Sequence, residues 1–236
     1  MQGLARERTR QVMVGSVPIG GGAPVVVQSM TCTPTIDADA TLAQVRALVD
    51  AGCDLVRVTV LLPMRSSPSG GSAPSLPCRS SPTFTLTIDS LSGCPLRRCQ
   101  TAHQPGNIGD WDRVDAVIDA AGEAGAAIRI GVNAGSLDRR IAEREDLTQP
   151  EKLVASSLEF VEHFEKRGFE NIVLSAKAHS VPTTIETYRA LSRELPQVPL
   201  HLGVTEAGTV QQGTIKSAVG LGVLLAEGIG DTMRVS

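Results

Sequence analysis

The chain has 236 residues, 42% of them hydrophobic and 20% charged, with a net charge of −3. This is the composition of a globular domain large enough to bury a substantial core. Net acidity and an aromatic content of only 3% argue against nucleic-acid binding, since they give neither a general cationic surface nor stacking platforms. No apolar run is long enough to cross a bilayer, and "MQGLARERTRQVMVG" lacks the apolar centre of a secretion signal, so a cytoplasmic protein is expected.

In chain order, "APVVVQSM" and "DLVRVTV" predict two strands around a helix over Ala40 to Ala51, with Leu42, Val45, Leu48 and Val49 facing inward. Gly52 ends that helix. "WDRVDAVIDAAGEAG" predicts a second helix, with Val114, Val117, Ile118 and Ala121 inward, leading into the strand "AAIRIGVN". A third helix starts at Pro150, a favoured first-turn residue, and runs to Gly168 before the strand "NIVLSAK". A fourth spans about Pro182 to Leu195 and precedes "PLHLGVTEAG"; the last, "GTIKSAVGLGVLLAEG", precedes "GDTMRVS". Short β-branched strands alternating with helices indicate right-handed βαβ units and a parallel sheet. Six strands are evident, and the region Leu61 to Gln104 has room for two more, which would complete a (β/α)8 TIM-type barrel without its closing helix.

That region follows another grammar. It holds no Val, Glu or Lys, while Cys78, Cys94 and Cys99, three of the five cysteines, fall inside it. It is expected to be an aberrant, disordered segment, 61–104, within one barrel domain spanning 1–236. Cys32 and Cys53 lie outside it, and no two cysteines have CxxC spacing.

Functional groups of such a barrel gather at the C-terminal ends of its strands. Arg57, Arg129, Asn133, Lys177, Glu206, Arg234 and Ser236 recur there. A charge inside a strand is costly unless it is paired or meets a ligand. Each of these residues singly also fits a structural ion pair. Together, three guanidiniums and an ammonium facing one carboxylate suggest a strongly anionic substrate, a diphosphate above all. Asn133 and Ser236 would orient it, and Glu206 would exchange a proton. Lys177 also fits a Schiff-base role, as in barrel aldolases. His201 is expected to pack inside the barrel, and the glycines of "VGLGVLLAEGIGD" are misplaced for a dinucleotide loop.

The motifs "VGSVPIGGGAPVVVQSMT", "PGNIGDW", "IRIGVNAGSL", "VLSAKAHS", "LHLGVTEAG" and "KSAVGLGVLLAEGIGDTMRVS" resemble the bacterial 4-hydroxy-3-methylbut-2-enyl diphosphate synthase family of the non-mevalonate isoprenoid pathway, over residues 10–60 and 105–236. The resemblance implies a barrel that binds 2-C-methyl-D-erythritol 2,4-cyclodiphosphate. It further implies a C-terminal domain with a 4Fe-4S cluster on three Cys and one Glu, ferredoxin or flavodoxin as electron donor, and a homodimer. Arg57, Arg129, Lys177, Arg234 and Ser236 would bind the diphosphate. Asn133 and Glu206 would face the erythritol, Glu206 as proton donor. No metal ligands of the cluster are expected in this chain, which is read as lacking the cluster domain and as inactive alone.

At "LPCRSSPTFTLTIDS" the family carries a segment like "LPVVADIHFDYR". Joining the last base of each codon to the first two of the next, from Cys78 to Asp89, permits Pro-Val-Val-Ala-Asp-Ile-His-Phe-Asp-Tyr-Arg. The opposite shift from Thr101 permits Leu-Arg-Ile-Asn before "PGNIG". Compensating insertions or deletions would thus have scrambled the third strand and most of the fourth, leaving Ala102 and Gln104 where the family has Arg and Asn. The competing expectations are a non-functional gene fragment and a Lys177 aldolase or lyase.

Overall fold

A computed structural model describes residues 8–34, 36–61, 83–89, 100–103 and 111–235. It begins with an antiparallel hairpin, β1 (Val12–Val14) and β2 (Val17–Ile19), turned at Gly15. Then come β3 (Val26–Met30), α1 (Ala38–Asp50), β4 (Leu55–Leu61), β5 (Thr83–Asp89), β6 (Gln100–His103), α2 (Trp111–Ala124) and β7 (Ile128–Asn133). The short α3 (Arg139–Ala142), α4 (Gln149–Lys166), β8 (Ile172–Lys177), α5 (Val181–Glu194), β9 (His201–Leu202), α6 (Val210–Ala226) and β10 (Thr232–Met233) complete it.

Strands β3 to β10 form one eight-stranded sheet in the order β8-β7-β6-β5-β4-β3-β10-β9. The ladder does not run continuously from β9 to β8. A parallel bridge between Leu174 and Leu200 spans that seam, with hydrogen bonds from Leu174 N to Pro199 O and from Thr205 N to Ala178 O. The single tyrosine reinforces it: Tyr188 Oη donates to His201 O at 2.6 Å and accepts from Ala176 N at 3.2 Å, joining both strands to α5. Asp231 ties the start of β10 to the same seam by accepting from Leu200 N at 2.8 Å and from Thr9 Oγ1 at 3.0 Å. Gly230 must be glycine, because at φ +108° a Cβ would lie 2.4 Å from Leu202 Cδ1.

Strand alternation sorts the side chains into two layers. Ile128, Ile130 and Val132 of β7 and Ile172, Leu174 and Ala176 of β8 face outward into a core shared with Val114, Ile118, Leu153, Phe160 and Leu191 of the helices. Their alternates face the lumen. Its lower end is closed by the hairpin, whose Val12, Val14, Val17 and Ile19 pack with Val26, Leu55, Ala127 and Val173.

Two expectations change. Leu42 of α1 is 43% exposed, and Thr41 takes the inward position. The cause is the preceding loop: Thr41 Oγ1 bonds Thr33 Oγ1, and Gln44 Oε1 accepts from Cys32 N and Thr33 N. These bonds rotate the helix until its polar residues meet the loop. The second concerns the segment 61–104, which was expected to lack regular structure. It contains β5 and β6, and the rest of it beyond Leu61 lies outside the described residues. Strand β5 runs antiparallel to both neighbours, paired with β4 from Leu55↔Asp89 to Leu61↔Thr83, whereas β6 is parallel to β7.

Candidate functional site

The lumen above the hairpin is polar and cationic. Met30 pairs with Arg57 and Asn133 with Lys177, whereas Thr232 pairs with His201 and with Val26, four residues before Met30 on β3. Lys177 and Asn133 end β8 and β7, and Arg234 follows β10 directly, as expected of groups at a barrel mouth. Arg129 lies deeper. It is the second residue of β7, four before Asn133, and only 5% exposed. At about 3.3 Å per residue that is roughly 13 Å below the strand's end. Arg57, the third residue of β4, is likewise well inside its strand.

The charges act on one another. Burial first, and then Arg57 and Arg234, draw Arg129 down to about 9; burial and then Arg234 draw Arg57 down to about 10. Both values lie above neutrality, so the guanidiniums stay charged. Lys177 falls well below its ordinary range through burial, followed by Arg129, Arg234 and Arg57. Gly203 makes room for this ammonium, since a Cβ there would lie 2.8 Å from Lys177 Nζ and 3.2 Å from Arg234 O. Arg234 Nη1 lies 3.6 Å from Met30 Sδ. Among the described residues, Arg129, Lys177 and Arg234 form no ion pair with a carboxylate. Buried cations left uncompensated by the protein are costly, and an anionic ligand is what would compensate them.

Glu206 follows β9 in the loop whose Thr205 N bonds Ala178 O, next to Lys177. It is exposed, in no ion pair among the described residues, and is the one described non-glycine residue at positive φ, 52°. Ser236 lies outside the described residues. The sequence reading gave Gln28 and Thr232 no role and left His201 as packing. All three are buried in the lumen, and Gln28 and His201 contact Arg129 directly. The one signal for Gln28 is a long polar side chain directly after the apolar run of "VVVQSM".

A 4Fe-4S cluster finds no fit here. No group of three or more His, Cys, Asp or Glu side chains that could hold a metal occurs among the described residues. Cys32 and Cys53 are free thiols, and Cys78, Cys94 and Cys99 lie outside the described residues. No step through a cluster is therefore derived. Among the described residues no helix is long and apolar enough to cross a membrane.

An eight-stranded α/β sheet encloses a lumen in which Arg129, Lys177 and Arg234 meet no carboxylate among the described residues, the arrangement of an α/β barrel domain. Comparison with known proteins narrows the class. The sequence pattern of the GcpE TIM-barrel domain matches residues 9–67 and 98–236, and the chain belongs to that family. The unmatched stretch, 68–97, contains the antiparallel β5. The chain is 47% identical over 236 residues to the 4-hydroxy-3-methylbut-2-en-1-yl diphosphate synthase (flavodoxin) of Pseudomonas paraeruginosa (strain DSM 24068 / PA7), covering 99% of this chain and 63% of that protein. Proteins of the same name from Pseudomonas aeruginosa (strain LESB58) and Pseudomonas putida (strain GB-1) match with the same identity and coverage. The chain thus spans 63% of the length of these relatives.

Proposed function

We propose that this chain supplies the substrate-binding barrel of a 4-hydroxy-3-methylbut-2-enyl diphosphate synthase and binds 2-C-methyl-D-erythritol 2,4-cyclodiphosphate in its lumen. The observation that carries this reading is the set of cations, Arg57, Arg129, Lys177 and Arg234, drawn from four strands into one pocket where their charges depress one another. Paired phosphoryl groups carry the matching charge, and guanidiniums suit their geometry. Asn133, at the level of Lys177, would face the sugar alcohol, and Ser236 would join the arginines on the diphosphate. Glu206 would protonate the oxygen released when the ring opens. The reaction of the whole protein is a reductive opening of that ring in isoprenoid precursor synthesis. Flavodoxin, named by the relatives, or ferredoxin would supply its two electrons, and the family reading adds a homodimer and a 4Fe-4S cluster for which the described residues offer no ligand group. What the described residues themselves supply is binding, orientation and proton delivery.

Thermal denaturation with and without the cyclodiphosphate tests the reading. Ligand at a hundred times its dissociation constant should stabilise the chain by about 2.7 kcal/mol. The gain should vanish in Arg57→Gln/Arg234→Gln, whereas equal sulfate should give far less. Equal effects of sulfate and cyclodiphosphate would overturn it.

The depressed Lys177 amine favours a second reading, imine formation with a phosphorylated carbonyl compound. Borohydride trapping of a substrate adduct on Lys177 would support that reading over the first.

A further inference from the structure

Four buried residues from four strands form a hydrogen-bonded row across the lumen. Arg129 Nη1 donates to Gln28 Oε1 at 2.7 Å and lies 3.3 Å from His201 Nε2. His201 Nδ1 lies 3.4 Å from Thr232 Oγ1. Gln28 is 3% exposed and His201 1%.

The chemistry of the groups fixes the direction of each bond. A guanidinium can only donate, so His201 Nε2 must accept. The ring proton is then on Nδ1, whose N–H donates to Thr232 Oγ1. An imidazolium would point an Nε2–H at the guanidinium and break the row. Burial, and after it the charges of Arg129, Lys177, Arg234 and Arg57, keep the ring neutral. Both hydrogens of Arg129 Nη1 are now used, one by Gln28 and one by His201. The Nε and Nη2 edge remains, and that edge is the one able to grip a phosphoryl group with two parallel bonds.

We propose that His201, as its Nδ1–H tautomer, and Gln28 are positioning residues that lock the Arg129 guanidinium so that its Nε/Nη2 edge faces the ligand. This deepens the diphosphate reading and rests on it. The advantage is preorganisation: a long side chain that would otherwise have to be ordered on binding is held in place beforehand.

Three variants separate positioning from plain packing. In His201→Gln the side-chain amide reaches the place of Nε2 and can still accept from Arg129. In His201→Asn it reaches only the place of Nδ1. Gln28→Leu keeps the volume and removes the acceptor. Calorimetric titration of each chain with inorganic pyrophosphate should show affinity about tenfold weaker for His201→Asn and Gln28→Leu, the loss expected for one hydrogen bond to a charged group. His201→Gln should stay close to the unaltered chain, and melting temperatures should not follow this order. Affinities that merely track melting temperature, or three unchanged affinities, would overturn the proposal. If the unaltered chain fails to bind pyrophosphate, the ligand reading falls and the positioning role falls with it. Binding by the unaltered chain with indifferent variants removes only the role. A long-range proton–nitrogen NMR spectrum of the free chain needs no ligand: it should show Nδ1 protonated and Nε2 bare, and the opposite tautomer would overturn the row.

Discussion

Glu206 sits in left-handed backbone at φ 52°, which costs a residue with a side chain about 1 kcal/mol or more. Such strain is characteristic of positions kept for function. Glu206→Gly should therefore raise the unfolding free energy by up to about 1 kcal/mol, measured by denaturant titration, while removing the carboxylate. A destabilised Glu206→Gly would contradict the strain argument. Lys177 makes a second prediction. Its amine is depressed by burial and then by three arginines, and a bound dianion would offset both. Diphosphate binding should therefore raise its proton affinity and draw protons from solvent over the pH range in which the free amine titrates. Titrations in buffers of different ionisation enthalpy should show greater uptake by the unaltered chain than by Lys177→Met, and equal uptake would count against the site. The four cations are legible in the sequence because a charge within a β-branched run demands an explanation. Gln28 and His201 are not, because a single uncharged polar residue at an inward position is ordinary in any strand. Leu42 misleads for a local reason: periodicity cannot see that Thr41 and Gln44 are held inward by their bonds to the loop.

At the level of elements, the seam between β8 and β9 depends on few bonds, and Tyr188 makes two of them. Tyr188→Phe removes both at a buried site and should destabilise the chain by about 1–3 kcal/mol, measured by chemical denaturation. Burial pushes the phenol up to about 12, compared with about 10 in the unfolded chain. Between those values the unfolded state has lost a proton that the folded state keeps. The stability contributed by the neutral phenol is thus complete below pH 10 and is lost as pH rises toward 12, by roughly 3 kcal/mol in all. Tyr188→Phe should show a shallower alkaline decline, and an identical decline would contradict this assignment. Helices and outer strands are legible because amphipathic periods and Gly or Pro boundaries mark them. The alternation of "TFTLTID" is a period-two signal for β5, but the Ser/Pro-rich composition around it led the expectation to disorder. Its direction was not legible. Antiparallel pairing sets Asp89 opposite Leu55, at the hairpin end of the lumen, so its C-terminal end cannot serve the mouth. Replacing Cys78–Asp89 with Pro-Val-Val-Ala-Asp-Ile-His-Phe-Asp-Tyr-Arg should restore a parallel strand. It should raise the melting temperature by about 3 °C or more, the effect of about 1 kcal/mol in a chain this size. An unchanged or lower melting temperature would count against the displaced-frame origin of the segment.

At the level of the whole molecule, a chain of net charge −3 brings Arg57, Arg129, Lys177 and Arg234 together in one lumen, closed at one end by the β1–β2 hairpin. Low-dielectric walls around a cluster of like charge focus the field on its opening, so a small polyanion would be drawn there despite the acidic net charge. Belonging to the GcpE TIM-barrel domain family accords with this arrangement, although the chain spans 63% of its relatives' length. The central claim is that Arg57, Arg129, Lys177 and Arg234 form one diphosphate site, and a crystal structure of the chain grown with 2-C-methyl-D-erythritol 2,4-cyclodiphosphate tests it most directly. The account predicts both phosphoryl groups in the lumen within hydrogen-bond distance of these four side chains, with the Nε/Nη2 edge of Arg129 toward one of them. Ligand bound elsewhere, or a pocket that stays empty at saturating ligand, would contradict it.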